Sequence, residues 1–191
     1  MYPTIDDLFT LLNTDGEAWY AAEPITHRQH ALQCAWLAEC AGESSHIIIA
    51  CLFHDIGLLI NPIEEGDDEH GPSDHDLIGV VALRRIFSEQ VLAPIRLHST
   101  ARRHLAGVDG NYLNQRSPSL RREVSHMGGP LISSQSMVFR CMPGADDALL
   151  LCHYDDLARV DGASAPDIDY FKPLAHRLAA RAQRVRTEIP A

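Results

Sequence analysis

At 191 residues the chain can bury a core of its own and fits one domain, residues 1–191. Hydrophobic residues make up 46% and charged residues 22%, which is the composition of an ordinary globular protein and argues against disorder. A formal charge of −10 argues against nucleic acid or an anionic membrane as a partner, because either would want a basic face, but not against a small anionic substrate beside bound metal.

The first predicted helix runs from Thr4 to Leu12, started by Pro3 and Thr4 and burying Ile5, Leu8, Phe9 and Leu12, before Asn13-Thr14-Asp15-Gly16 turns the chain. A second begins near Ile25, ends at Gly42 and carries Leu32, Ala35, Leu37 and Ala38 inward. The third follows Glu43-Ser44-Ser45 and runs to Gly57, apolar nearly all round, and is therefore expected at the centre of the fold. His54 and Asp55 form its last polar turn, and burying them beside so much hydrocarbon is costly unless they are paired or bind metal.

The acidic stretch from Glu64 to Pro72 reads as a surface loop or a lid, with Ser73 capping the next helix. That helix opens on His75 and carries Leu77, Ile78, Val80, Val81 and Leu83 as its apolar positions. Ser88 caps a further helical stretch that Pro94 is expected to interrupt before Ile95, Leu97, His98 and the basic run Arg102-Arg103-His104. Ser117-Pro118 looks like a cap followed by proline at the first helical position, in a helix ending at Gly128-Gly129-Pro130. The last two helices span Asp146 to Ala158, with Asp155 behind Leu149, Leu150, Leu151 and Tyr154, and Phe171 to Arg186, with a basic exposed face. Strand signals are weak throughout, so the expected class is all-α.

Cys34, Cys40, Cys51, Cys141 and Cys152 are odd in number and lack CxxC spacing, so they are expected to be reduced, packed thiols. The amino terminus lacks the basic and apolar parts of a signal peptide, and no apolar run is long enough to span a membrane. The expected compartment is the cytoplasm. The oligomeric state is left open.

His30, His54, Asp55, His75, His98 and Asp155 fall on or beside successive predicted helices and read as a metal centre. Six nitrogen and oxygen ligands suit two borderline ions held about 3.5–4 Å apart better than one structural zinc. Asp156 is the neighbouring alternative to Asp155, while His27 is expected at the surface. A carboxylate has two oxygens, so Asp55 would bridge the ions. His30, His54 and Asp155 would complete one and His75 with His98 the other, leaving open positions on the second for substrate, water or dioxygen.

The order and spacing of these residues resemble the HD-domain superfamily, which implies a helical bundle with a dinuclear site at its centre. HD domains carry more than one chemistry. The segment Tyr20-Ala21-Ala22-Glu23-Pro24-Ile25-Thr26-His27-Arg28-Gln29-His30 is similar to the entry segment of the small HD-domain mixed-valent di-iron oxygenases that cleave 1-hydroxyphosphonates. The similarity continues through Gln33-Cys34-Ala35, Phe53-His54-Asp55-Ile56-Gly57, Tyr112-Leu113 and Gly128-Gly129-Pro130. It implies that Tyr20 and Glu23 close over the site, that Arg102 orients an anionic group, and that the cofactor is two irons, Fe(II) and Fe(III), acting with dioxygen on a small molecule.

The chain departs from that family where the phosphonate is held. Leu58 stands in place of a histidine and Arg102 in place of a lysine, while Leu120, Met127 and Cys152 stand in place of a serine, a glutamine and an arginine. One lost charge-assisted hydrogen bond costs about 1.5–3 kcal/mol, so the usual phosphonate clamp is largely gone. Arg102 alone still offers a guanidinium fork to a carboxylate or phosphate. The alternative is phosphate-ester hydrolysis with Mn, Mg, Co or Fe on the same ligands.

Overall fold

The computed structural model describes residues 3–20, 23–62 and 74–188. Its α-helices in chain order are α1 (Ile5–Thr14), α2 (His27–Cys40), α3 (Ser45–Phe53), α4 (Ile56–Ile60), α5 (His75–Leu83), α6 (Glu89–Val108), α7 (Pro118–His126), α8 (Ser133–Arg140), α9 (Ala145–Leu157) and α10 (Ile168–Glu188). Short 3₁₀ turns lie at Asp15–Glu17 and Leu113–Gln115. The only pairing of extended backbone among the described residues is an isolated bridge between Trp19 and Thr26, so the fold is all-α.

Caps set several boundaries. Thr4 and Asp7 form a reciprocal capping box at the start of α1, and Thr26 and Gln29 form another at the start of α2, which therefore opens at His27 and not at Ile25. The Ser117 hydroxyl accepts from the Leu120 amide ahead of Pro118, as the sequence suggests for α7. Ser88 holds the cap position of α6 without a side-chain bond.

Helix α3 is the hub. Every residue from Ile47 to Phe53 is buried, and α2, α6, α9 and α10 pack around it. A second, smaller core joins Ala101 of α6, Phe139 of α8, Leu131, and Ala145, Ala148 and Cys152 of α9. Leu37 is only partly buried, and Leu77 and Val81 of α5 are exposed. The thiols are all free, but only Cys34, Cys51 and Cys152 are buried, whereas Cys40 and Cys141 are exposed.

Two expectations about helices are corrected, and one helix is added. The apolar helix does not continue through the His54-Asp55 pair: α3 ends at Phe53, and α4 restarts at Ile56. Pro94 does not interrupt α6, which runs unbroken from Glu89 to Val108, because packing against α3, α5 and α9 outweighs one lost backbone bond. Helix α8 had no counterpart in the sequence pattern. The stretch from Glu64 to Pro72 and the Ser73 cap lie outside the described residues; α5 has Asp74 at its cap position. No described helix is long and apolar enough to cross a membrane.

Candidate metal centre

Six side chains from five places in the fold meet in the interior. His30 comes from α2, His54 and Asp55 from the break between α3 and α4, His75 from the first residue of α5, His98 from the middle of α6, and Asp155 from the last turn of α9. The break matters because it turns two consecutive residues toward the same point. Gly57 lets α4 approach α5, since a Cβ there would run into the His75 carbonyl.

The ligand atoms form two groups, each within 4.8 Å: His30, His54 and Asp155, and Asp55, His75 and His98. Nε2 of His30 faces Nε2 of His54 at 3.3 Å, and Nε2 of His75 faces Nε2 of His98 at 3.2 Å. Asp155 Oδ1 lies 3.2 Å from His30 Nε2. The Asp55 carboxylate spans both groups: Oδ2 is 3.2 Å from His54 Nε2, while Oδ1 is 3.5 Å from His75 Nε2 and 3.6 Å from His98 Nε2. Asp156 sits outside the cluster, where it accepts hydrogen bonds from Tyr112 and Arg116.

The donor set fits a cation. Backbone carbonyls can only accept, so the Nδ1 atoms of His30, His54 and His98 donate to the carbonyls of Ala158, Cys51 and Ile95 at 2.7, 2.9 and 2.7 Å. Nε2 is then the atom through which each ring would offer a lone pair to a metal once its proton has left, which is the orientation that metal-ligating histidines take from such partners. Burial would push the imidazoles down, but the neighbouring carboxylates win: Asp55 raises His54 to about 10, and Asp76 and Asp55 raise His75 to about 9. Burial opposes ionisation of Asp55 as well, yet the histidines hold its carboxyl well below the usual range. The carboxylates that favour a proton on these rings would also favour a metal cation, which has to displace that proton to bind.

Tyr20 and Glu23 lie on a loop closed by two backbone bonds, Tyr20 N–H to the Ile25 carbonyl at 2.9 Å and His27 N–H to the Ala18 carbonyl at 3.0 Å. The Tyr20 ring stacks on His30, with centroids 4.1 Å apart, and its hydroxyl donates to Asp55 Oδ2 at 2.7 Å. His27, expected at the surface, is half-buried with its ring edge against Tyr20. Burial raises the Tyr20 phenol well above its ordinary value, so it stays protonated. Arg102 is buried and pairs with Asp155 and Glu123. Leu120 and Cys152 are fully buried, and Leu58 and Met127 partly so.

Sequence reading missed three neighbours. Arg159, one turn after Asp155, donates to Asp155 Oδ1 at 2.9 Å and reaches the Tyr20 hydroxyl and the Glu23 carboxylate. Asp76 lies 2.8 Å from His75 Nε2 and accepts from Ser99. Glu123 is Arg102's second partner. The spacing of Asp155 and Arg159, one helical turn apart, was the available signal for the first.

The family model of the HD domain matches residues 28–126. The chain is 32% identical over 171 residues to the hydroxymethylphosphonate dioxygenase of Gimesia maris, covering 87% of this chain and 84% of that protein. It is 26% identical over 168 residues to the [1-hydroxy-2-(trimethylamino)ethyl]phosphonate dioxygenase (glycine-betaine-forming) of Leisingera caerulea, covering 85% of this chain and 84% of that one.

Proposed function

The chain belongs to the HD-domain family, and on that premise we propose that it is a dinuclear-metal oxygenase that cleaves a small hydroxylated, phosphonate-like substrate with dioxygen. The carrying observation is the Asp55 carboxylate divided between two histidine pairs, with phosphonate dioxygenases among the relatives. His30, His54, Asp155 and Asp55 would hold one iron, and Asp55, His75 and His98 the other. Bound as a mixed-valent Fe(II)/Fe(III) pair, the metals would supply Lewis acidity and electrons for dioxygen chemistry.

The chain's own residues have separate tasks in this reading. The carbonyls of Ala158, Cys51 and Ile95 fix the imidazoles. Tyr20, neutral and hydrogen-bonded to Asp55, covers the ligands and keeps water out until substrate displaces it. Glu23 closes the same side of the site, and Arg102 orients the substrate's anionic group beside Asp155.

A second reading, hydrolysis of a phosphate ester on Mn, Mg or Co held by the same residues, draws support from the apolar Leu58, Leu120 and Met127 and from Cys152, where the phosphonate clamp is expected. Dioxygen uptake separates the two. The iron-loaded protein should consume dioxygen in proportion to hydroxymethylphosphonate added and stop under anaerobic conditions; phosphate-ester turnover that persists without dioxygen would overturn the oxygenase reading.

A further inference from the structure

We propose that Arg159 holds Glu23 in an ion pair and thereby makes the Tyr20 and Glu23 side of the site reject an ammonium group, so that the substrate is a hydroxylated anion without an amine. The inference rests on the function proposed above and narrows its substrate class.

The geometry is that of a carboxylate already in use. Arg159 lies 3.5 Å from Glu23 Oε1 through Nη1, while its Nη2 lies 3.4 Å from the Tyr20 hydroxyl and 2.9 Å from Asp155 Oδ1. Ser119 donates to the same Glu23 oxygen at 3.0 Å. The pair is largely removed from water, with side-chain exposures of 13% for Arg159 and 11% for Glu23. A lone carboxylate so placed would draw an ammonium strongly, but one whose charge is matched by a guanidinium offers little, and the cation beside it repels.

The second carboxylate bordering the ligand set is committed in the same way: Arg102 donates to Glu123 Oε1 at 2.8 Å. Asp76, a further acid beside the histidines, is 2.8 Å from His75 Nε2 and accepts from Ser99. Arg159 itself is braced from behind. Gln33 brackets the next residue, donating to the Val160 carbonyl at 2.9 Å and accepting from its amide at 3.2 Å, which fixes the backbone where α9 ends. Nε of Arg159 is buried without an acceptor, a donor left over in a wall where an anionic oxygen would be welcome.

The test measures binding, not turnover, on the metal-loaded full chain by calorimetry in the absence of dioxygen. The probes are ethylphosphonate and 2-aminoethylphosphonate, which differ only by the amine and lack the hydroxyl that the reaction needs. Ethylphosphonate should bind at least about tenfold more tightly, the worth of one charge-assisted contact. Arg159→Gln should narrow that ratio by about tenfold, adding Glu23→Gln to it should remove the gain, and Arg159→Lys should keep the original ratio. Should Arg159→Gln not fold, Glu23→Gln alone should widen the ratio, because the guanidinium then keeps only Asp155 as a carboxylate partner and its charge is less fully matched on this side.

Equal affinities in the unmodified protein, an unchanged ratio in Arg159→Gln, tighter amine binding in Glu23→Gln, or no binding of either probe would each overturn the inference. Dioxygen uptake with hydroxymethylphosphonate reads the oxygenase assignment separately.

Discussion

Asp55 gives both of its oxygens to the cluster, one toward His54 and one toward His75 and His98, so its removal should be felt at two metal positions at once. Because His54 is raised to about 10 and His75 to about 9, the metal-free protein carries protons on both at neutral pH. Metal uptake should therefore release protons, and affinity should climb as pH rises toward 9–10. Folding of the metal-free chain follows the linked rule. A pKa raised on folding stabilises fully below the unfolded value near 6.5, and that contribution is lost as pH climbs through 9 and 10. Calorimetric titration in buffers of different ionisation enthalpy should show proton release on metal binding, with both metal and release lost in Asp55→Ala; full metal content in that variant would contradict the bridging role. At this scale the sequence showed which histidines and acids belong together, since their order and helical placement are local properties. It did not show Glu123, or that Arg159 reaches Tyr20 and Glu23 and Asp76 reaches Ser99, because those partners lie on other elements; the one-turn spacing of Asp155 and Arg159 and the adjacency of His75 and Asp76 were there to be read.

The elements exist to bring those residues together. Amphipathic α1 and the apolar α3 were legible because burial writes its period into the sequence. The break at His54-Asp55 was not, since no glycine or proline marks it; Asp55 leaves the helical region at φ −99 and ψ 10 in answer to tertiary packing. Pro94 misled in the opposite direction, as local chemistry argued for a break that packing overrides. Helix α8 escaped because it buries only Ser136 and Phe139 while Met137 and Val138 face outward, leaving no apolar period to read. The contact of α4 with α5 is the most sensitive joint, because Gly57 lies against the backbone carbonyl of His75. Gly57→Ala should force the helices apart, at a cost of about 1–3 kcal/mol, and displace His75. Thermal unfolding should shift down and metal content should fall from two toward one per chain; unchanged metal content would show that the joint does not position the ligand.

For the whole molecule, an acidic exterior encloses an interior where positive groups gather. The net charge is −10, yet Arg102 and Arg159 are drawn inward to Asp155, beside histidines that favour cations. In the oxygenase reading an anionic substrate would meet a local field set by metal and guanidinium groups, not by the surface average. Burying carboxylates on this scale is costly unless each is matched, here by the imidazoles and by Arg102 and Arg159, and the same cluster could hold metal ions. The most direct test is to purify the protein without chelator, count metals by elemental analysis and record low-temperature EPR after partial reduction. Two irons per chain with a mixed-valent signal are the predicted result; magnesium or manganese with no such signal would contradict the oxygenase account.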